Sequence, residues 1–196
     1  MRIIAGTYRS RRLTAPEGLA TRPTSDRLRE TLFNVLGARI PGAAFLDLFA
    51  GSGAVGLEAL SRGAATVTFV ERAPSALAVL RANLARLAIH EGCYIHAGSV
   101  SAFLRSSPAA SPKREPYAVV FLDPPYDAAE EYARTLELLG GAAPTWLSGD
   151  AVVVAEHRRK QRLEERYGVL ARTRLLEQGD ASLSFYAAAL ESSRQE

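Results

Sequence analysis

The spacing of apolar residues changes along the 196-residue chain, and each change marks an element. Leu28, Leu32, Val35 and Leu36 recur at the interval of one helical face. Pro23, Thr24, Ser25 and Asp26 supply a helix start ahead of them, and Gly37 and Pro41 a stop. From Ala43 onward short apolar runs alternate with amphipathic stretches, the pattern of a parallel sheet covered on both faces. The runs 44–49, 66–71, 94–97, 117–122 and 151–156 read as strands. Helices fit between them at 55–62, 74–87, 100–105 and 128–139, with Gly63 and Gly140 as stops. The end of the chain changes character: 169–176 and 182–188 are strands flanking a turn that contains Gly179-Asp180, and so make a hairpin. The expectation is an α/β fold around a mostly parallel seven-stranded sheet with an antiparallel C-terminal hairpin. Residues 1–20 mix β-prone and basic residues around Gly6 and Gly18 and read as a hairpin or arm, too small for its own core, ahead of a main domain at 21–196. The stretch 106–116, SSPAASPKREP, has no periodicity and reads as a mobile loop.

Composition narrows the class. With 47% hydrophobic and 23% charged residues the chain is not wholly disordered, and the apolar run 151–155 is too short to span a bilayer. Cys93 is the only cysteine, so neither an internal disulfide nor a cysteine zinc site is possible. No apolar stretch of the signal-peptide kind opens the chain, and a reducing cytoplasm is the expected compartment. The net charge of +3 is unevenly spread: residues 1–40 sum to +5 and the rest to −2. A basic head on a slightly acidic body suits a polyanionic partner, although a solvated Arg-rich surface has the same composition.

Two motifs carry chemistry. Around the end of the first strand lies Leu46-Asp47-Leu48-Phe49-Ala50-Gly51-Ser52-Gly53-Ala54-Val55-Gly56. Gly51 and Gly53 allow a sharp turn and close approach of a ligand, and Glu71 ends the next strand. Read literally this is GxGxxG followed by an acid, the form of an NAD-binding unit. Asp47 pulls the other way, because a carboxylate there would repel a pyrophosphate but can hold the amino group of a cationic ligand, which favours S-adenosylmethionine. The second motif, Asp123-Pro124-Pro125-Tyr126, follows the apolar strand at 117–122. A carboxylate, a rigid carbonyl at Pro124 and an aromatic ring at a strand end suit a planar group bearing an NH2, with Asp123 and the Pro124 carbonyl accepting and Tyr126 stacking.

Together these motifs resemble the class I S-adenosylmethionine-dependent methyltransferases that act on amino groups. With Arg2-Ile3-Ile4-Ala5-Gly6 and the block Thr21-Arg22-Pro23-Thr24-Ser25-Asp26-Arg27-Leu28-Arg29-Glu30-Thr31-Leu32-Phe33-Asn34, the chain is similar to bacterial small-subunit rRNA guanine-N2 methyltransferases of the RsmD type. The resemblance implies a Rossmann-like class I methyltransferase fold, S-adenosyl-L-methionine as cofactor, 16S rRNA or the assembling small ribosomal subunit as partner, no metal, no membrane, and a monomer in the cytoplasm. It places Asp47, Ala50, Gly51 and Gly53 around the methionine part of the cofactor and Glu71 at the ribose with Arg72 beside it. Ser99 and Val100 fall against the adenine, with Ser99 standing where many class I enzymes have an acid, and Arg22, Pro23 and Thr24 close over from the N-terminal side. Asp123, Pro124, Pro125 and Tyr126 become the catalytic set. Arg2, Arg9, Arg11, Arg12, Arg27 and Arg29 are the candidate RNA contacts. The competing readings are a DNA adenine-N6 methyltransferase, an NAD-binding dehydrogenase and a catalytically silent RNA-binding subunit. Outside the motifs, His90, His96 and His157 read as surface or loop residues, Cys93 as buried, Trp146 as packing, and the run 157–160 as a solvated face, with contact to RNA phosphates as the alternative.

Overall fold

A computed structural model of the chain describes residues 1–15, 25–106, 115–125, 128–141 and 146–189. The first helix, α1 (Asp26–Leu36), starts where the Ser25 side chain accepts from the Leu28 N–H at 3.1 Å. That bond satisfies one of the donors a helix start leaves open. Then follow β1 (Ala44–Leu48), α2 (Ala54–Ser61), β2 (Thr66–Glu71), α3 (Pro74–Arg86), β3 (Cys93–Ala97), α4 (Val100–Arg105), β4 (Tyr117–Leu122), α5 (Glu130–Leu139), β5 (Leu147–Arg158), β6 (Arg166–Tyr167), β7 (Leu170–Gln178) and β8 (Ala181–Ala188). One sheet holds all the strands in the order β3-β2-β1-β4-β5-β8-β7-β6. β1 to β5 are parallel to one another, and β8, β7 and β6 add antiparallel pairs.

Among the described residues the sheet therefore has eight strands rather than seven. The extra one, β6, is two residues long and shows no period by which a sequence could announce it. β5 also begins earlier than its apolar run, because Leu147 pairs with Tyr117 ahead of a register shift between Tyr117 and Val119.

Strand alternation sorts the core into two layers. Phe45, Phe69, Phe121 and Val154 face α1, α2 and α3, while Leu46, Val70, Leu122 and Val153 face α4 and α5. Trp146 is a packing residue, donating from Nε1 to the Leu104 carbonyl at 2.9 Å and stacking on Phe103. Two minor expectations are corrected. Cys93 is half-buried, because β3 is the edge strand of the sheet. His157 is not a surface residue but lies buried in β5, its Nε2 2.9 Å from Ser184 Oγ.

The arm is a small hairpin bridged at Arg2 and Arg12. It docks through polar groups on α2 and α3. Glu58, fully buried, accepts from the Ile4 and Ala5 N–H groups at 2.7 and 3.0 Å. Ser61 Oγ accepts from the Tyr8 N–H. Gly6 sits so close to α2 that a Cβ there would come within 1.7 Å of the Ser61 carbonyl oxygen. Ile3 and Leu13 join the α1–α3 layer of the core, so removing the arm would expose apolar surface as well as charge. The stretch 106–116 falls mostly outside the described residues. No helix among the described residues is long and apolar enough to cross a membrane.

Candidate active site

The carboxyl ends of β1, β2, β3 and β4 surround a cavity of about 500 Å³. That is where ligands bind in open parallel sheets. Asp47, Ala50, Gly51, Glu71, Arg72, Ser99, Val100, Asp123 and Pro125 all line it, so residues far apart in sequence converge on one space. Gly53 and Pro124 lie behind the wall instead. Gly53 is packed against α3, where a Cβ would meet Leu80 Cδ1 at 2.3 Å, and Pro124 is buried. Arg22, Pro23, Thr24 and Tyr126 lie outside the described residues.

The glycine loop gains its shape from hydrogen bonds to acids. Asp47, 2% exposed, accepts from the Gly56 N–H in the first turn of α2 at 2.8 Å. Gly56 itself is required by packing, since a Cβ there would lie 2.3 Å from the Phe69 ring. The third glycine of the literal GxGxxG thus seats the helix on the sheet. Glu71 accepts from the Gly51 N–H at 2.8 Å and from the Arg72 and Ala73 N–H groups at 2.8 and 2.7 Å, which fixes its carboxylate at the cavity rim. Ser99 caps α4, accepting from the Ala102 N–H at 3.2 Å. Its hydroxyl therefore has a local structural partner where an acid would have reached for a ligand. Phe49, on the wall between Asp47 and Gly51, adopts a left-handed backbone with φ of 62°, a conformation a bulky residue takes only when its surroundings impose it.

The acidic side chains of Asp47, Glu71 and Asp123 gather here beside Arg72. Burial pushes the Asp47 carboxyl up to about 8, against the Gly56 hydrogen bond and with help from Glu71. Burial also raises Asp123 well above the carboxylate range, and the carboxylates of Glu156 and Asp47 add to it. Glu156 was not among the sequence candidates. It follows Ala155, the β5 partner of Leu122, so it stands one strand over from Asp123 and is 4% exposed. The signal was an acid closing an apolar strand run, but only the β4–β5 adjacency gives it meaning.

Asn83 was missed too. Fully buried on α3, it accepts from the Thr14 N–H at 2.9 Å and donates from Nδ2 to the carbonyls of Thr14 and Ser52, both at 3.0 Å. One side chain thereby ties the basic arm to the glycine loop. Asn83→Asp keeps the bond from Thr14 but strands two carbonyls; a loss of about 1–3 kcal/mol in urea unfolding is expected, with weaker ligand binding in the cavity by calorimetric titration.

Of the arginines proposed for RNA, Arg2, Arg9, Arg11, Arg12 and Arg27 are exposed on the arm and α1. Arg29 is corrected: it has no exposed surface, and its guanidinium bonds the Arg2 carbonyl and Asp26 while lying 3.8 Å from Glu58. A side chain enclosed in that ion-pair knot holds the arm to α1 and cannot reach a phosphate.

Comparison with known proteins agrees with this geometry. The sequence profile of a family described as conserved hypothetical protein 95 matches residues 1–187. Ribosomal RNA small subunit methyltransferase D of Escherichia coli (strain K12) is 41% identical over 158 residues, covering 80% of this chain and 74% of that protein. YlbH of Bacillus subtilis (strain 168) is 36% identical over 186 residues, covering 95% and 98%. The solved structure of yhhF from Escherichia coli superposes with a TM-score of 0.81 at 34% identity, covering 96% of this chain and 97% of that one.

Proposed function

The chain belongs to the family described as conserved hypothetical protein 95, and from that membership we propose that it is an S-adenosylmethionine-dependent methyltransferase acting on the exocyclic N2 amine of a guanine in small-subunit rRNA. The observation that carries the reading is the placement of Asp47 and Asp123. They lie on neighbouring strands, two residues apart in register, and open into one cavity. A cationic ligand held by the first faces an amine held by the second.

The donor set fits S-adenosylmethionine better than a dinucleotide. Asp47 already uses the Gly56 N–H at the start of α2, and its carboxylate stands where a pyrophosphate would need a donor. Carboxyls pushed up by burial and by one another gain from a positive ligand. In this reading Asp47 receives the ligand's ammonium, Glu71 accepts from the ribose hydroxyls, and Ser99 and Val100 lie along the adenine. When bound, the cofactor supplies a sulfonium-activated methyl group together with its leaving group. Guanine N2 is a poor nucleophile because its lone pair is delocalised into the ring, so the protein's task is alignment, which is worth roughly 7–11 kcal/mol. Asp123 accepts from the amine, localises the lone pair towards the methyl group and stabilises the positive charge that grows on nitrogen, with Pro124 and Pro125 holding the strand end rigid beside it. Tyr126 stacks on the base. The proton leaves after transfer, because an alkylated aryl-ammonium is strongly acidic. The exposed arginines of the arm and α1 are the RNA footing.

Calorimetry is expected to show binding of S-adenosylmethionine and of its demethylated product, with none of NAD. Labelled methyl groups should enter 16S rRNA from cells lacking this gene, at a guanine mapped by mass spectrometry. Tight NAD binding, or methyl groups found on DNA adenine instead, would replace this reading.

A further inference from the structure

A second concavity, of about 340 Å³, opens at the same end of the sheet and has no part in the chemistry above. His157 of β5, Ser182 of β8 and Glu177 of β7 line it together with Arg159, Arg162 and Arg172. It lies on the α5 side, where the His157 ring meets Tyr132 edge-on at 6.4 Å. Three guanidinium groups thus meet Glu177 there, and Arg172 is also ion-paired at 3.5 Å with Glu165 just outside the notch. Glu177 steadies Arg159 at 3.1 Å, and Arg172 donates to the Leu163 carbonyl at 3.1 Å. Arg162 is exposed and has no ion-pair partner among the described residues.

Ser182 is the informative residue. It is 1% exposed, its hydroxyl oxygen has no hydrogen-bond partner among the described residues, and it lies on the wall of this notch. A buried hydroxyl left unpaired beside guanidinium groups asks for an acceptor with several lone pairs. His157 adds no charge at neutral pH, because burial lowers its pKa and both ring nitrogens already have partners. The demand is for an anion, and a phosphate oxygen pair suits the guanidinium fork.

Position selects the source of that phosphate. Asp123 follows β4, and the notch begins on the adjacent β5 and extends over β8 and β7. Strands lie about 4.8 Å apart, so the notch is roughly 10–15 Å from Asp123. We propose that it takes a backbone phosphate of the RNA strand next to the target nucleotide. The substrate is then gripped on both sides of the cavity, by the arm on the α2–α3 side and by this notch on the α5 side. The inference rests on the RNA methyltransferase reading.

The test compares wild type with Arg159→Ala/Arg162→Ala, both exposed positions, using unmethylated 16S rRNA transcript titrated from roughly 50 to 200 mM salt. The double variant is expected to bind roughly tenfold more weakly, with the salt slope flattened by about 0.7–0.9 for each arginine removed. Its melting temperature, its affinity for S-adenosylmethionine and its turnover at saturating RNA should match wild type. Equal affinity and slope for the two proteins would overturn the notch while leaving the methyltransferase reading in place. A wild type that neither binds nor methylates the transcript would sink that reading and the notch with it. If inorganic phosphate raised the melting temperature of wild type alone while RNA affinity ignored the substitutions, the notch would be a free-anion site and the proposal wrong.

Discussion

Asp123→Ala is expected to lower the single-turnover rate of methyl transfer by roughly 10²–10³, the loss typical of removing one preorganised hydrogen-bonding partner from a transition state. The substitution should not unfold the protein. Asp123 sits against Glu156 and Asp47, so deleting its carboxyl relieves like-charge crowding in a desolvated site, and the melting temperature should hold or rise. Cofactor affinity should change less than the rate, since Asp123 is assigned to the target amine. The ionised carboxyl is the stronger acceptor for that amine, and burial, with Glu156 and Asp47 adding to it, raises its pKa well above the ordinary carboxylate value. The rate should therefore keep rising with pH above the ordinary carboxylate range in wild type and lose that rise in Asp123→Ala. Tyr126→Ala should forfeit stacking worth about 1–3 kcal/mol, and Tyr126→Phe almost nothing. Wild-type rates for Asp123→Ala at saturating cofactor and RNA would remove this strand end from the chemistry.

The elements legible in the sequence were those whose burial repeats. The helical face of Leu28, Leu32 and Leu36 and the apolar runs of β1, β2 and β4 each bury enough surface to impose a period, and α4 has the boundaries its spacing suggests. The cavity wall was legible for a related reason: Asp47, Glu71 and Asp123 are charges placed at the ends of apolar strands, where nothing in a core calls for them. What stayed hidden were polar residues whose partners come from distant parts of the chain. Glu58, Ser61 and Asn83 look like solvated positions on helices until the arm is laid across α2 and α3. Arg29 looked like a free cation because an ion pair with Asp26 and Glu58 leaves no periodic trace. Ser99 read as a gap in a ligand site, whereas the structure gives it a capping role that depends on where α4 begins. Glu156 needed the sheet order, since only β4–β5 adjacency sets it beside Asp123.

Asp47→Asn is expected to weaken S-adenosylmethionine binding by about 10²-fold, the scale of losing a charge-assisted hydrogen bond in a dry site. The variant should fold, because the amide oxygen of Asn can still accept from the Gly56 N–H and hold the start of α2. The sign of the pH dependence follows from the Asp47 carboxyl lying at about 8, pushed up by burial first. Below that pH the ligand-free protein holds a proton there, while a cationic ligand favours the ionised form. Binding should therefore release about one proton near pH 7, and affinity should climb as pH rises towards 8 and level off above it. Calorimetry in buffers of different ionisation heat reads that proton directly. Stability of the ligand-free protein moves the opposite way. A folded-state pKa above the unfolded one means the folded protein binds more protons, so stability falls as pH rises from the ordinary carboxylate range to about 8. Asp47→Asn should release no proton on binding and should lose this fall, making it the more stable protein at pH 8 although it is the weaker binder. If the variant instead bound S-adenosylmethionine within twofold of wild type, with the same proton release, Asp47 would be only the support of α2, and the cationic ligand would have to be held elsewhere on the cavity wall.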